Sequence, residues 1–453
     1  MGPKLKIASV RFLLKKPAKS YLPSQPVADL KFKSKEYRQM DSKWLLIGLV
    51  FSSGLMCTKK TSDDNIDDKP HENLSTDAEK KPDKKEKDSD HDADMLEHSG
   101  LIGNISIKMD QWDELKNQEP TKHICQPDSH YDRRGYTYFV ADIEIDGEFF
   151  ETIGIRKKGH CGSKSNTKPA LKIKLSKYVS DQEHNGHKSI SLNNNIQDPA
   201  LIRQCLGYRL LSELDIQHRE CQLVRVTVND VYYGIYSRVE DIKSKFLEKN
   251  FGKEKSGHVL LESGSVDTDF DGGFNFFERK EIDHEEDYSI HEVITNDIQA
   301  RQLDAVKQYF DLGHFYKIWA GEILLMHIDG YVGNNNNFYV YRRKSDSKFH
   351  FIISGIDRTW EKGQSGFEQW KKSIIASLAR EDPEFMGKFK DRLTGYWARF
   401  DTEDFFKKAT ELQDAVMPYL PDEEHEDFRH EVNILKEYVA NHHAEIERYI
   451  DSL

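Results

Sequence analysis

The chain has 453 residues, 78 of them acidic against 66 basic, and a formal net charge of −12, with a pI near 5.9. That length allows two or three domains or one large bilobal one. The acidic balance argues against a dedicated nucleic-acid binder, which presents a basic face, so no nucleic-acid partner is expected.

The N-terminus is layered. Residues 1–39 are basic, carry only Asp29 and Glu36 as acids, and show no sustained hydrophobic period. Met40 resembles a second start: Lys43 precedes an apolar run, Trp44 to Met56, that ends at Cys57. The run is too short to span a bilayer and suits the apolar region of a signal peptide. A cysteine at its end resembles a bacterial lipoprotein site, although Gly54 and Met56 stand where such a site prefers a branched aliphatic and a small residue. The expected plan is a mis-called extension over 1–39 and a signal peptide over 40–57, with Cys57 lipidated. The mature chain would then be exported and lipid-anchored at the cell envelope or outer surface. A basic targeting extension or a short buried helix is the alternative. Residues 58–98 read as a tether: between Asp63 and Asp94 only Ile66 and Leu74 are large aliphatics, too few to offset the entropy of ordering. Residues 99–453 then form one folded domain.

Strands are expected at Ile105–Ile107, Gly135–Ile145, Phe149–Arg156 and Lys168–Leu175, where apolar and polar residues alternate. In Lys168–Leu175 one face is apolar and the other presents lysines. Asp198-Pro199-Ala200 predicts a helix start, running to Leu214. Cys221–Asn229 and Tyr232–Val239 read as a hairpin about Asn229-Asp230, followed by a helix over Asp241–Asn250. After Phe276 the pattern is mostly helical: Glu285–Val306, Leu312–Met326 and residues 364–453, ending in the amphipathic run Glu431–Tyr449. With Cys57 lipidated, four cysteines remain, and an exported chain can keep disulfides. Cys205–Cys221 and Cys125–Cys161 are the favoured pairs, with free buried thiols as the alternative. His160, His258 and His327 are scattered without metal-ligand spacing and read as structural.

The segment Met326–Trp360 carries the chemistry. Asp329 opens a loop rich in asparagine, Asn337 leads into strand Phe338–Tyr341, and Asp357 follows a second strand, Phe349–Ile353. A carboxylate, an amide just before a strand and a second carboxylate after the next strand have the layout of a kinase centre. The first can take a proton from an acceptor hydroxyl; the other two are oxygen donors suited to Mg²⁺. The same residues also serve ordinary turns.

This segment resembles the CotH kinase family, the spore coat protein H group. So, in order, do Ile155-Arg156-Lys157-Lys158-Gly159, Lys168-Pro169-Ala170-Leu171-Lys172-Ile173-Lys174, Leu192-Asn193-Asn194 with Asp198 to Arg203, and Val228-Asn229-Asp230 with Tyr233 to Glu240. The resemblance implies an α+β, bilobal, atypical protein-kinase-like fold with a sheet-rich N-lobe and a mainly helical C-lobe. It implies transfer of the ATP γ-phosphate, with Mg²⁺ or Mn²⁺, to Ser or Thr of a protein substrate. Asp329 would be the base, Asn337 (or Asn334) and Asp357 the metal donors. Lys168 or Lys172, with Arg156 and Lys158, would lie on phosphate. Glu240 would pair with the phosphate lysine or meet the nucleotide. Two positions depart from the family pattern. Gly355 stands where members often carry an acid, and Lys243 stands three residues after Glu240 where an acid is usual. A non-catalytic envelope or coat assembly protein, or an invasin-like adhesin, is the alternative on the same fold, and nucleotidyl transfer is a third reading.

Overall fold

The computed structural model describes residues 101–119, 136–159, 161–253, 259–263, 268–274, 277–282, 289–361, 367, 370 and 373–453. The N-terminal extension, the signal segment with Cys57, the tether, Cys125 with its proposed pairing, His160 and His258 lie outside these residues. Among the described residues, no helix is long and apolar enough to cross a membrane.

Strand β1 (Ile102–Lys108) leads through a short helix α1 (Trp112–Asn117) to strands β2 (Phe139–Ile145), β3 (Glu148–Lys158), β4 (Ala170–Lys174) and β5 (Ser189–Asn193). Helix α2 (Arg203–Glu213) precedes the hairpin β6 (Cys221–Val228) and β7 (Val231–Glu240). These strands close into a barrel in the order β1-β2-β3-β4-β5-β7-β6. Closure comes from β1 running parallel to β6, with Ile105 beside Val226. Period-two alternation explains the wall. Ile105, Ile107, Ile143, Ile153, Ile155, Leu171, Ile173, Val224 and Val226 fill the interior. Arg156, Lys158 and Lys172, at the intervening positions, face out of it. Each aliphatic so buried contributes about 1.5–3 kcal/mol. The tight turns fit their sequences: Asn229 and Asp230 both take positive φ, 49° and 66°, as a two-residue hairpin of this twist requires.

Beyond helix α3 (Ser244–Phe251), strands β8 (Val259–Ser263) and β9 (Phe277–Ile282) come before helices α4 (Ser289–Gln299), α5 (Leu303–Tyr309) and α6 (Leu312–Leu324). The short helix α7 (Tyr331–Asn334) precedes strands β10 (Phe338–Arg342) and β11 (Phe349–Ile353). Helices α8 (Ile374–Ala379), α9 (Pro383–Trp397), α10 (Thr402–Val416) and α11 (His425–Ser452) complete the chain. The architecture is α+β, sheet-rich in its N-terminal region and helical in its C-terminal region. Helix α2 joins the two: Leu206, Tyr208, Leu210 and Leu211 belong to the helical core with Trp319 and Ile356.

Several elements differ from expectation for physical reasons. The Asp198 helix starts later, at Arg203, because Leu201 takes φ +58°; Asp198 instead accepts the N–H of Ala200 at 3.0 Å and of Arg203 at 2.8 Å. The helix expected from Asp241 begins at Ser244, since Asp241 belongs to a buried ion pair. The helix expected over Glu285–Val306 is divided into α4 and α5, with Arg301 at φ +54° between them. Helix is not continuous after Phe276, because β9 follows at once. β8 and β9 join β10 and β11 in one antiparallel sheet, order β11-β10-β8-β9. Strand β5 carries no alternation strong enough to read in isolation. The expected Cys205–Cys221 disulfide is present, with Cα atoms 5.0 Å apart, tying α2 to β6.

That bond closes a loop of sequence separation 16, which the chain-entropy argument values at about 3 kcal/mol. The Cys205→Ser/Cys221→Ser double variant is expected to lose stability of that order in urea unfolding. Reductant should shift the parent's midpoint to a similar extent and leave the variant's unchanged.

Candidate active site

Helix α6 is buried along nearly its whole length, and within it Glu322 is fully buried. Its two carboxyl oxygens accept the backbone N–H groups of Tyr331 and Val332, each at 2.9 Å. That fixes the loop carrying Asp329. Gly330 must be glycine here, since a Cβ would lie 2.6 Å from the Glu322 carboxyl carbon. Tyr331 donates its hydroxyl to Asp269 at 3.0 Å, and Asp269 also accepts the N–H of Ile374 at 2.7 Å. His327 Nε2 donates to the carbonyl of Ser354 at 3.0 Å. It is buried.

So held, the loop gathers its amides around one carboxylate. Asp329 Oδ1 accepts from Asn334 at 2.8 Å and Asn336 at 3.3 Å, and Oδ2 accepts from Asn337 at 2.8 Å. Asn335 and Asn337 occupy left-handed backbone, φ 52° and 48°, which asparagine tolerates. The asparagine run therefore serves both the turn and the site. Because Asn337 donates through Nδ2, its Oδ1 is turned away from Asp329. It rests against Gly355, where a Cβ would meet Asn337 Cγ and Oδ1 at 2.5 Å. Gly355 also takes φ +59°. The position that departs from the family pattern is thus the space occupied by the Asn337 amide.

Asp357 lies in the 3-10 turn Ile356–Arg358, which is seated on α2 through Ile356 and Gly207. Burial pushes its carboxyl up to about 6; the nearby acids Asp198 and Asp329 add to this and Lys158 opposes it. Among the described residues Asp357 has no ion-pair partner. Asp198 is itself paired with Arg203 at 2.5 Å.

On the outer barrel face, Lys158 donates to Asn193 Oδ1 at 2.7 Å, and Asn193 in turn donates to Gln204 of α2 at 2.7 Å. Burial pushes the Lys158 ammonium down to about 7, helped by Lys172 and Arg219. Lys172 is ion-paired with Asp241, which also accepts from Ser191 at 2.8 Å and from Ser189. Burial opposes ionisation of Asp241, but Lys172 and Ser189 hold it well below the usual carboxylate range. The partner of Lys172 is therefore Asp241 and not Glu240. Glu240 points the other way along β7 and accepts the N–H of Glu220 at 3.1 Å. Arg219 links the sheet-rich region to the hairpin end: Nε donates to the Glu240 carbonyl at 2.6 Å and Nη1 to Ser354 Oγ at 3.2 Å.

The structure thus brings Asp329, Asn337 and Asp357 together at the ends of β10 and β11, within the electrostatic reach of Lys158. Lys172 adjoins Lys158. Arg156 is in register with Lys172, donates to the Lys157 carbonyl at 3.0 Å and lies over the Tyr138 ring. Lys168 is directed elsewhere, to the Ile235 carbonyl at 3.0 Å and the Tyr236 ring. Sequence reasoning missed Asp241, Arg219, Asn193 and Glu322. Glu322 had a signal, a lone acid inside an apolar helix; Asp241 had one too, in the strand alternation that sets it opposite Glu240. The donors Asp357, Asn337 Oδ1 and Asp329 are all oxygen, and a half-buried carboxylate without an ion pair fits a hard divalent cation.

The family model described as CotH kinase protein matches residues 155–451, and the chain belongs to that family. Inner spore coat protein H of Bacillus subtilis (strain 168) is 21% identical over 289 residues, covering 56% of this chain and 76% of the relative. Among solved structures, the Helicobacter pylori proinflammatory kinase CtkA is 10% identical with a TM-score of 0.32, covering 63% of this chain and 95% of that one. The Shewanella oneidensis MR-1 toxin–antitoxin HipA, HipB and operator DNA complex gives 13% identity and a TM-score of 0.33, with coverage of 65% and 67%. Structural similarity at that level leaves the site to be argued from its own residues.

Two outcomes follow. Gly355→Ala places a methyl against Asn337 in left-handed backbone, and is expected to cost about 1–2 kcal/mol from that conformation alone. An amide-resolved NMR spectrum should show the Asn337 side chain displaced; an unmoved Asn337 resonance contradicts the packing. Burial pushes Glu322 up to about 8, above its unfolded value of 4.5. The folded state therefore binds more protons than the unfolded one between those values. Glu322 contributes most below about 4.5 and loses that contribution as pH rises through about 8. Glu322→Gln is expected to be less stable than the parent at pH 5 by about 1–3 kcal/mol, with a flatter stability profile from pH 5 to 8.

Proposed function

We propose that the chain is an atypical protein kinase that transfers the γ-phosphate of ATP to Ser or Thr hydroxyls of a protein substrate. The observation that carries this reading is the convergence of Asp329, Asn337 and Asp357 at one end of the β10–β11 hairpin, beside Lys158 on the barrel face. Asp329 accepts the proton of the acceptor hydroxyl as its oxygen bonds to the γ-phosphorus and the bond to the β-phosphate oxygen breaks, releasing ADP. The amides of Asn334 and Asn337 orient that carboxylate. Asp357 and Asn337 Oδ1 would hold Mg²⁺ or Mn²⁺, which when bound neutralises charge on the transferred phosphoryl group. Lys158 and Lys172 would meet phosphate oxygens. Release of Lys172 from Asp241, or sharing between them, sets how far it can reach. Arg156 lies at the edge of this surface.

The reading extends to location. Cys57 and the charged segment after it fit an exported, lipid-anchored protein that acts on proteins at the envelope or outer surface. The second reading, an assembly protein or adhesin on the same fold, draws on Gly355, which leaves one carboxylate where family members often carry two.

The test is incubation of the full chain with γ-labelled and, separately, α-labelled ATP plus Mg²⁺ or Mn²⁺ and a casein-type acceptor. Label from γ alone is expected. Asp329→Ala should remove at least about 99% of it, since catalytic proton transfer alone supplies about 10²–10⁴-fold, and Asp357→Ala, which takes away the metal carboxylate, should abolish it, while melting temperatures stay within a few degrees. Label from α assigns nucleotidyl transfer. Absence of both labels, with no ATP-dependent thermal shift, assigns the non-catalytic reading.

A further inference from the structure

On the side of β7 opposite Lys172, three side chains converge that the site above does not use. Residues His184 to His187 form a tight turn in which the two histidines exchange backbone hydrogen bonds at 3.0 and 2.9 Å. Asn185 and Gly186 take φ 49° and 76°, the backbone of a two-residue Asn-Gly hairpin. The turn holds His187 rigidly at 8% exposure. Facing it are Glu220, just before β6, and Glu240, at the end of β7. They are set side by side by a backbone bond from Glu240 N to Glu220 O at 2.9 Å. Cys221, next to Glu220, is fixed by its disulfide to Cys205.

Two buried acids facing each other on neighbouring strands repel. Lys249 reaches Glu220 Oε1 at 2.8 Å and answers one of them. Glu240 is 2% exposed, and its Oε1 has no hydrogen-bond partner among the described residues. His187 stands between the two acids at ion-pair distance, Nε2 3.5 Å from Glu220 Oε2 and Nδ1 4.0 Å from Glu240 Oε1, and its Nε2 makes no hydrogen bond of good geometry among the described residues. One ligand atom from each residue falls within 4.8 Å of the others. A tetrahedral zinc site, with bonds of 2.0–2.2 Å, sets its ligand atoms about 3.5 Å apart, so a small inward movement of the two carboxylates closes the set. Beside them is a cavity of about 10 Å³, bordered by His187, Ser189, Arg238 and Glu240, room for about one water. Arg238 is already committed to Asp146 at 2.9 Å.

We propose that His187, Glu220 and Glu240 bind one divalent transition-metal ion, with zinc the best match, and a water from the adjoining cavity as fourth ligand. One imidazole and two carboxylates are donors that suit zinc. The ion gives a ligand bond to the two buried atoms that make no hydrogen bond, Glu240 Oε1 and His187 Nε2, and offsets the facing acids at once. Its place is structural: it pins the end of β7 to the His184–His187 turn. That end continues directly into Asp241, the partner of Lys172, and carries the Glu240 carbonyl that Arg219 holds. The ion therefore sets the backbone from which the phosphate lysine is positioned.

The test uses the untagged full chain, equilibrated with Zn²⁺, dialysed, and assayed for bound metal by plasma mass spectrometry and for melting temperature. About one retained equivalent is expected, with a rise of several degrees in melting temperature. His187→Ala and Glu240→Gln should each lose that equivalent and the rise. Co²⁺ substitution should give the visible bands of a tetrahedral site in the parent. Asp311, Asp346 and His350 form a second, more exposed group, so His350→Ala is the control and should retain the metal. No stoichiometric zinc on the folded parent overturns the proposal. So does zinc that survives His187→Ala, or that is lost in His350→Ala. Because retention and cobalt bands are read on the parent, failure of a variant to fold does not rescue the idea.

Discussion

A carboxyl group buried in an apolar helix and bonded to two backbone N–H groups is a costly way to hold a loop. Glu322 does this for the segment after Asp329, and much else in the site depends on it. A buried acid left without partners costs several kcal/mol, so the Tyr331 and Val332 amides can scarcely move. The close seat of Gly330, the Tyr331–Asp269 bond and the His327–Ser354 bond follow from that placement. With the loop so fixed, the side-chain amides of Asn334 and Asn337 have one carboxylate to meet, that of Asp329.

The second constraint is closure of the barrel. Parallel pairing of β1 with β6 removes the sheet edges and directs the apolar residues of β3 and β4 inward. The residues between them, Arg156, Lys158 and Lys172, are thereby placed on the outside. The linkage to the helical region is polar as well as apolar. Lys158 meets Asn193 and through it Gln204 of α2, while Arg219 reaches Ser354. Helix α2 carries the turn of Asp357 on its small residue Gly207. The cationic face and the acidic loop are thus parts of one connected assembly.

Much of this was legible in the sequence where alternation was strong. The β6–β7 hairpin announced itself through Asn229-Asp230, β4 through its apolar and lysine faces, and the disulfide through the nearness of α2 to β6. Strands β8 and β9 were not legible, because short mixed runs such as Val259–Ser263 acquire strand identity only by pairing with β10. The start of α2 was misplaced because the capping pattern around Asp198 is also that of a turn. At the site, Asp329, Asn337 and Asp357 stood out by spacing. The ion pair of Lys172 could not be assigned, because Glu240 and Asp241 are adjacent and only the pleat decides which one faces the lysine. Gly355 read as a missing acid; in three dimensions it is the space that Asn337 fills.

The most direct test of the account is a structure of the full chain with Mg²⁺ and a non-hydrolysable ATP analogue. Metal is expected on the Asp357 carboxylate and Asn337 Oδ1, with phosphate oxygens within hydrogen-bond reach of Lys158 and Lys172 and Asp329 open to an acceptor beside the γ-phosphate. A nucleotide bound away from this cluster, or an Asp357 carboxylate that stays without metal while nucleotide is bound, would contradict it.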